Sequence, residues 1–146
     1  MKNTFKNLDI FNFNCINTIT ASISSYNFKD DALHLSFQDT YFNDISEVSV
    51  FLKNIKTREI YECISLKEKN SLTIYLSNLK YLCTNYEYTI DIILNDSTSC
   101  KIIHPKYSVL DDKISRNSLV YKSNNIKWYL RILKNGEFRL STIYLF

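Results

Sequence analysis

The chain has 146 residues and a formal net charge of +3, which is too small to indicate a nucleic-acid partner. Its length fits a single domain that can bury roughly 70% of the surface of the unfolded chain, so stability needs neither a metal ion nor a disulfide. Hydrophobic residues make up 45% and aromatic residues 14%, with eleven Tyr and nine Phe, and this composition favours strands over helices and argues against disorder.

The N-terminal residues do not have the pattern of a targeting signal. Lys2 and Lys6 precede a segment that Asp9, Asn12 and Asn14 interrupt, so the apolar core of a signal peptide is missing. No later segment approaches the ~20 apolar residues of a membrane-spanning helix. We therefore expect a soluble, cytoplasmic protein without a transmembrane segment.

Period-two alternation of apolar residues, which is typical of half-buried strands, runs through most of the chain. It predicts short strands in residues 19–28, 32–37, 47–53, 58–66, 71–77, 86–94, 101–104, 118–122, 127–133 and 137–145. Asn-bearing segments separate them, and Asn closes turns without glycine because it tolerates the left-handed backbone region. Residues 41–47 and 110–116 are the best helical candidates, although both are polar enough to be loops.

Many short strands with short connections are typical of an antiparallel sandwich or barrel. In the segment LCTNYEYTIDI, Leu82 stands six residues before Tyr88. This spacing resembles the L-x-P-x-T-x-Y pattern of fibronectin type III domains, although Thr84 and Tyr86 stand where that family has Pro and Thr. Over residues 18–95 the resemblance implies an all-β, antiparallel sandwich of the immunoglobulin or fibronectin III type, with Tyr88 buried in a tyrosine corner.

The predicted strands form one domain, residues 1–146, that ends in a C-terminal β-hairpin. No internal repeat or low-complexity linker indicates a second domain. The strand pattern is weaker after His104. Residues 105–146 could therefore instead form a hairpin region appended to the domain.

The only glycine, Gly136, selects the register of the last predicted hairpin. A two-residue turn at Asn135 and Gly136 would mix core and surface residues on each face. A three-residue loop, residues 134–136, with Gly136 as a left-handed bulge, pairs Ile132 with Phe138 instead. One face of the hairpin then becomes continuous and apolar, made by Ile126, Trp128, Leu130, Ile132, Phe138, Leu140 and Tyr144.

The same register places Arg131 directly opposite Arg139 on the other face, beside Lys127 and Tyr129. Opposed like charges destabilise a strand pair unless an anion lies between them. Guanidinium groups suit phosphate, and a tyrosine ring offers a stacking surface. Lys127, Tyr129, Arg131 and Arg139 are therefore the candidate anion-binding or ligand-binding residues. The alternative is a solvated outer face whose arginines meet Asp or Glu from elsewhere in the chain.

The sequence lacks the motifs of common catalytic and cofactor sites. One glycine excludes a P-loop, a dinucleotide fingerprint and a G-x-S-x-G nucleophile elbow. His34 and His104 have no metal-ligand partner at a recognisable spacing. The acidic doublets at 30–31 and 111–112 are typical of solvated turns, although a paired-carboxylate hydrolase uses the same groups. We expect a protein that is not an enzyme and holds no cofactor or metal.

The four cysteines are Cys15, Cys63, Cys83 and Cys100, and their spacings match neither a zinc site nor a CxxC redox pair. In a reducing compartment we expect all four to remain thiols and to be buried as small hydrophobic side chains.

The stretch IKWYLRILKNGEFRLS, residues 126–141, is similar to hairpins in the immunoglobulin-like accessory domains of bacterial wall-polymer transferases of the teichoic-acid type. The resemblance implies a non-catalytic binding or accessory module, whose partner is an anionic cell-envelope polymer or the catalytic domain of the same transferase. The alternative function is a protein–protein interaction or assembly module that pairs through an edge strand or through an aromatic face at Tyr41 and Phe42.

Overall fold

The computed structural model describes residues 4–5, 17–76, 79, 87–95, 98–103, 120–123, 126–133 and 135–144. Strands dominate these residues, as the alternation predicts, and they are β1 Thr4–Phe5, β2 Asn17–Lys29, β3 Ala32–Phe37, β4 Val48–Asn54, β5 Ile60–Glu68, β6 Ser71–Tyr75, β7 Glu87–Leu94, β8 Thr98–Ile103, β9 Val120–Ser123, β10 Ile126–Ile132 and β11 Phe138–Tyr144. Among the described residues, no helical segment has the length and hydropathy that a transmembrane helix requires.

Seven of these strands form a closed ring. Each pairs with the next in the order β4, β5, β6, β3, β2, β8 and β7, and β7 pairs again with β4. All pairings around the ring are antiparallel except that of β2 with β8, which is parallel and places Asn17 beside Thr98. The fold is therefore all-β, as predicted, but it is a mixed seven-strand barrel.

The prediction of an antiparallel immunoglobulin or fibronectin III sandwich is wrong, because two strands change neighbours along their length. β2 pairs with β8 through residues 17–22 and with β3 from Ile23 onward, with an irregularity in register before Ser25. β5 pairs with β4 through residues 60–63 and with β6 through residues 64–68. Because each of these two strands pairs with different neighbours at its two ends, the hydrogen bonding continues around the ring and closes the barrel.

The hairpin of β10 and β11 continues from the ring. β11 pairs with β7, β10 pairs with β11, and β9 pairs with β10. Trp128 and Leu130 belong to the same buried cluster as Leu52 of the ring. The ring of Tyr26 on β2 meets the ring of Phe138 edge-on, with centroids 5.5 Å apart. The predicted C-terminal hairpin therefore packs against the barrel core.

The core fills the interior of the ring through alternating side chains. Tyr88 of β7 is fully buried, as predicted, and its ring lies edge-on to that of Tyr61, with centroids 6.2 Å apart. Residues 80–86, which contain the rest of the tyrosine-corner pattern, lie outside the described residues. A second, smaller cluster covers the opposite face of β4, β5 and β7, and its members are Phe51, Ile60 and Ile93.

Acidic residues close the turn between β2 and β3. Asp30 and Asp31 both have positive φ angles, 52° and 62°, and they form a two-residue connection in which Lys29 pairs with Ala32. Positive φ at both central residues is what a type I′ turn requires, and Asp tolerates that region better than most residues. The acidic doublet at 30–31 is therefore a turn, as predicted.

The predicted helical segment at 41–47 overlaps a 3-10 turn, Thr40–Asp44. Phe42 is buried there and its ring stacks on that of Phe37, with centroids 4.0 Å apart. The prediction that Phe42 contributes to an exposed aromatic face is therefore wrong, because its ring fills the core. The side chain of Tyr41 and the segment 110–116 lie outside the described residues.

Candidate anion-binding site

The β10–β11 hairpin has the register that the sequence predicts. Ile132 pairs with Phe138, and Arg131 pairs with Arg139. The inward face is buried at each of its members whose side chains the structure describes, Trp128, Leu130, Ile132, Phe138 and Leu140. The hydrophobic pattern therefore selected the correct register of the two available.

Gly136 forms the bulge that sets this register. Its φ angle is 88°, and its N–H donates to the carbonyl of Leu133 at 2.8 Å. The N–H of Leu133 donates in turn to the carbonyl of Glu137 at 2.8 Å, and the Asn135 side chain accepts from the Glu137 N–H at 3.0 Å. The predicted left-handed bulge at Gly136 is confirmed.

Carboxylates from two places meet the opposed arginines. Arg131 Nη1 donates to Glu87 Oε2 at 2.8 Å, and Ser141 Oγ donates to the same oxygen at 3.4 Å. Arg139 Nη1 lies 3.5 Å from Oε2 of Glu137. Arg131 is therefore held by β7, which matches the alternative of arginines that meet carboxylates from elsewhere.

The other two residues of the predicted site are Tyr129, whose side chain the structure describes, and Lys127, whose side chain it does not. Tyr129 is half-buried and pairs with Ser141, so it lies on the same face as the arginines. Lys127 belongs to β10, but its side chain lies outside the described residues. The structure thus brings together three of the four predicted residues, and their role in binding stays a prediction.

A cleft opens where β11 meets the ring. β8 pairs with β7 as far as Cys100, and beyond it Ile103 pairs with Glu137 of the hairpin. β11 pairs with β7 at Thr89, where β8 no longer pairs with β7. The resulting junction cleft has a volume of about 280 Å³, and its polar lining includes Thr89, Asp91, Ser99, Lys101, Glu137 and Arg139.

Two cations of the junction cleft share one carboxylate. Lys101 Nζ lies 2.9 Å from Oε1 of Glu137, while Arg139 approaches the other oxygen. The hydrogen bond from Lys101 and the nearby positive charges lower the pKa of Glu137. The side chain of Lys101 is 55% exposed and that of Arg139 is 21% exposed. Both cations therefore remain accessible to solvent while they hold Glu137 ionised.

A second carboxylate, Asp91, lies in the same cleft. Burial raises its pKa, against the opposing effects of a hydrogen bond from Thr89 Oγ1 at 3.2 Å and of the charges on Lys53, Arg139 and Lys101. The cleft itself is lined by two cations, Lys101 and Arg139, and by two carboxylates, Asp91 and Glu137. Its lining gains a positive excess of one unit when Asp91 takes up a proton.

Sequence reasoning missed Lys101, Asp91 and Glu137 as site residues. Alternation along β7 and β8 predicts that the side chains of Asp91 and Lys101 point away from the core. Alternation does not indicate that β8 and the hairpin are neighbours. They meet through a single bridge, between Ile103 and Glu137, which are far apart in sequence. A local pattern therefore had no signal for this cleft.

A larger cavity, of about 630 Å³, lies beside the parallel pair of β2 and β8. Its lining includes Asn17, Thr20, Ile45, Asn95 and Thr98. Among the lining residues that the structure describes, none carries a charge. The described lining of this cavity is therefore polar or apolar but uncharged.

His34 has hydrogen-bond partners at both ring nitrogens. Nε2 lies 3.0 Å from the carbonyl of Lys29, and Nδ1 lies 3.2 Å from Thr73 Oγ1. A carbonyl only accepts, so Nε2 donates and, in the neutral ring, Nδ1 accepts from the threonine hydroxyl. The imidazole joins β3 to its neighbours, while His104 lies outside the described residues.

Cys63 and Cys100 are buried free thiols, as predicted. Burial, together with the charge of Glu62, raises the pKa of Cys63, so its thiolate is disfavoured. Cys15 and Cys83 lie outside the described residues. Within the part of the chain that the structure describes, no three His, Cys, Asp or Glu side chains are arranged to hold a metal ion.

A comparison with models of known protein families finds no match, and a comparison with curated proteins finds none either. The resemblances to fibronectin type III domains and to accessory domains of wall-polymer transferases are therefore unsupported by relatives. The closed barrel also contradicts the sandwich that both of them imply. Function has to be argued from the site alone.

Proposed function

We propose that the protein is a non-catalytic binding module for an anionic polymer, and that phosphate-type groups of the polymer bind at Lys101 and Arg139. The observation that carries this proposal is the convergence of the two side chains on one carboxylate, Glu137, at the junction cleft. An ammonium group has three donors and a guanidinium group has five. Both cations can therefore donate to a ligand while they keep Glu137 in place.

The charge balance of the cleft favours an anionic ligand once Asp91 is protonated. Lys101 and Arg139 then face one ionised carboxylate, that of Glu137, and Lys53 adds a positive charge near Asp91 from outside the lining. An anion bound near Lys101 and Arg139 would also raise the pKa of Asp91, because a nearby negative charge favours the neutral acid. Binding is therefore expected to strengthen as the pH falls toward the raised pKa of Asp91.

The ion pairs of Glu137 favour binding over catalysis. A carboxylate with a lowered pKa that is held by two cations is a weak base and is poorly placed to act as a nucleophile. A single anion site of this kind is weak, but a polymer that repeats its charge gains from a high effective concentration after the first contact. The proposal therefore predicts that affinity depends on polymer length.

The proposal is tested by titrating the protein with long-chain inorganic polyphosphate at several salt concentrations. Lys101→Gln combined with Arg139→Gln should weaken binding at least tenfold at low salt and reduce the salt dependence. The matched control combines Lys29→Gln with Arg58→Gln, which removes two exposed charges that do not line the cleft. The control has the same net charge as the cleft variant but keeps Lys101 and Arg139, so it should keep most of the affinity.

Two outcomes would overturn the proposal. Equal weakening in both double variants would mean that only net charge attracts the polymer. The absence of binding by the unmodified protein at low salt would remove the anionic ligand altogether. Circular dichroism of each variant checks that the fold is kept.

A further inference from the structure

Among the strands that the structure describes, only one pairs with the second half of β5, residues 64–68. That strand is β6, with Ile64 opposite Tyr75 and Glu68 opposite Ser71. On the other side, β4 flanks β5 only as far as Cys63 and pairs beyond that point with β7 alone. Among the residues that the structure describes, no strand pairs with this second edge of residues 64–68.

The outward face beside this edge is apolar at its centre. Ile64 is 57% exposed and Leu66 is 46% exposed, which makes them the two most exposed large hydrophobic side chains among the described residues. They are two residues apart on one strand, so both lie on the same face of the sheet. Isolated exposed hydrophobic residues are ordinary, but an adjacent pair on an unpaired edge is a surface that proteins normally cover or use.

Negative charge stands at both ends of the apolar pair. Glu62 and Glu68 lie on the same face of β5 as Ile64 and Leu66, and both are exposed. Neither takes part in the ion pairs found among the described residues. The face therefore reads Glu, Ile, Leu, Glu along alternate positions of one strand.

A second copy of the chain fits this surface poorly. Because β4 occupies the edge beside Glu62, only residues 64–68 can pair, and an antiparallel pairing of two such edges centred on Leu66 sets Glu68 of each copy opposite Ile64 of the other. A parallel pairing in register sets Glu68 opposite itself. Like charges that face each other across a strand pair are destabilising. The charges thus point to a partner that carries the opposite sign.

We propose that the free edge of β5 at residues 64–68 binds an extended segment of another protein, which adds as a strand and carries two alternating apolar residues flanked by Lys or Arg. Backbone hydrogen bonds along the edge would supply affinity, as in other cases of strand addition. Contacts with Ile64 and Leu66 would select apolar side chains, and Glu68 would face one basic flank. Glu62, whose own edge is paired with β4, is exposed just beyond the end of the added strand and would attract the other basic flank from there. This surface is separate from the junction cleft and does not depend on the anion-binding proposal.

The test uses two blocked peptides, Lys-Thr-Val-Thr-Val-Thr-Lys and Glu-Thr-Val-Thr-Val-Thr-Glu, and follows backbone amide shifts of the full chain by NMR. The lysine peptide should give saturable shifts centred on residues 64–68, and the glutamate peptide should bind at least tenfold more weakly. Combined Glu62→Gln and Glu68→Gln should remove most of this discrimination. Combined Ile64→Thr and Leu66→Thr should abolish binding of both peptides.

Ile143→Thr is the matched control, because Ile143 is also exposed but lies on β11. It should leave binding of the lysine peptide unchanged. Equal affinity for the two peptides, or no shift at residues 64–68 at millimolar peptide, would overturn the proposal. Concentration-dependent dimerisation with shifts confined to residues 64–68 would also overturn it, since the occupant would then be a second copy.

Discussion

Gly136 adopts a φ of 88° within a buried turn, and this backbone region is costly for a residue with a branched Cβ. Gly136→Val should therefore lower the free energy of unfolding by more than about 1 kcal/mol. Gly136→Asn should cost less, because Asn enters the left-handed region more readily. Urea denaturation of both variants measures the difference. Equal costs for Val and Asn would show that the left-handed backbone is not what Gly136 provides.

Asp91 and Glu137 carry pKa shifts of opposite sign within one cleft. Because the pKa of Asp91 is raised by folding, its contribution to stability is present below the ordinary Asp pKa, about 3.9, and is lost as the pH rises through the folded value. Because the pKa of Glu137 is lowered, its contribution is present above the ordinary Glu pKa, about 4.3, and is lost as the pH falls through the folded value. The two carboxyl groups therefore change stability in opposite directions with pH.

Two neutral variants separate these effects. Asp91→Asn should melt at a higher temperature than the unmodified protein at pH 7, and this advantage should shrink toward pH 4. Glu137→Gln should melt at a lower temperature at pH 7, and this deficit should shrink toward pH 3. Thermal melts of the three proteins between pH 3 and pH 8 make the comparison. A constant difference across that range for either variant would contradict the corresponding pKa shift.

At the scale of elements, the hairpin of β10 and β11 behaves as part of the barrel. Leu130 is fully buried and belongs to the same cluster as Leu52 of β4. Leu130→Ala and Leu52→Ala should each cost about 2–5 kcal/mol, the usual range for a leucine removed from a core. Ile143→Ala should cost less, because Ile143 is 37% exposed. Urea denaturation followed by two spectroscopic probes gives these values.

The outcome for Leu130→Ala distinguishes a shared core from an attached hairpin. A cost comparable to that of Leu52→Ala in a single transition is expected. A separate transition at lower urea, or a cost below that of Ile143→Ala, would mean that the hairpin unfolds independently of the ring.

The strands and the last hairpin could be predicted because their signals are local. The alternation of Ile132 and Phe138 with charged neighbours, together with one glycine, was enough to choose the register. The change of partner within β2 could not be predicted, because alternation shows which face is buried and not which strand lies beside it. Sandwich and barrel strands bury one face alike, so the pattern did not separate the two folds.

The candidate site shows the same division. The opposition of Arg131 and Arg139 follows from the hairpin register and was predicted. Their partners were not, because Glu87 reaches Arg131 only through the pairing of β11 with β7. Contacts within a hairpin can thus be derived from the sequence, whereas contacts between distant strands required the structure.

For the whole molecule, β7 is the strand on which the other parts converge. It pairs with β4 along one edge and shares the other between β8 and β11. The junction cleft exists because that second edge has two occupants. A change that separates β8 from β11 should therefore affect the cleft without opening the ring at β4.

The parallel pair of β2 and β8 has a consequence for how the chain reaches this fold. Asn17 lies beside Thr98, so the ring closes by pairing β2 with β8, the first and the last of its strands in the sequence. Such a closure loses chain entropy before its contacts form, and folds rich in non-local pairing are slow to form. During synthesis, residues 17–22 leave the ribosome well before β8, so the edge that pairs with β8 stays unpaired until β8 emerges. For that interval the strand can pair with the β8 of another chain, so we expect exchange of strands between copies to be the main misfolding error of this barrel.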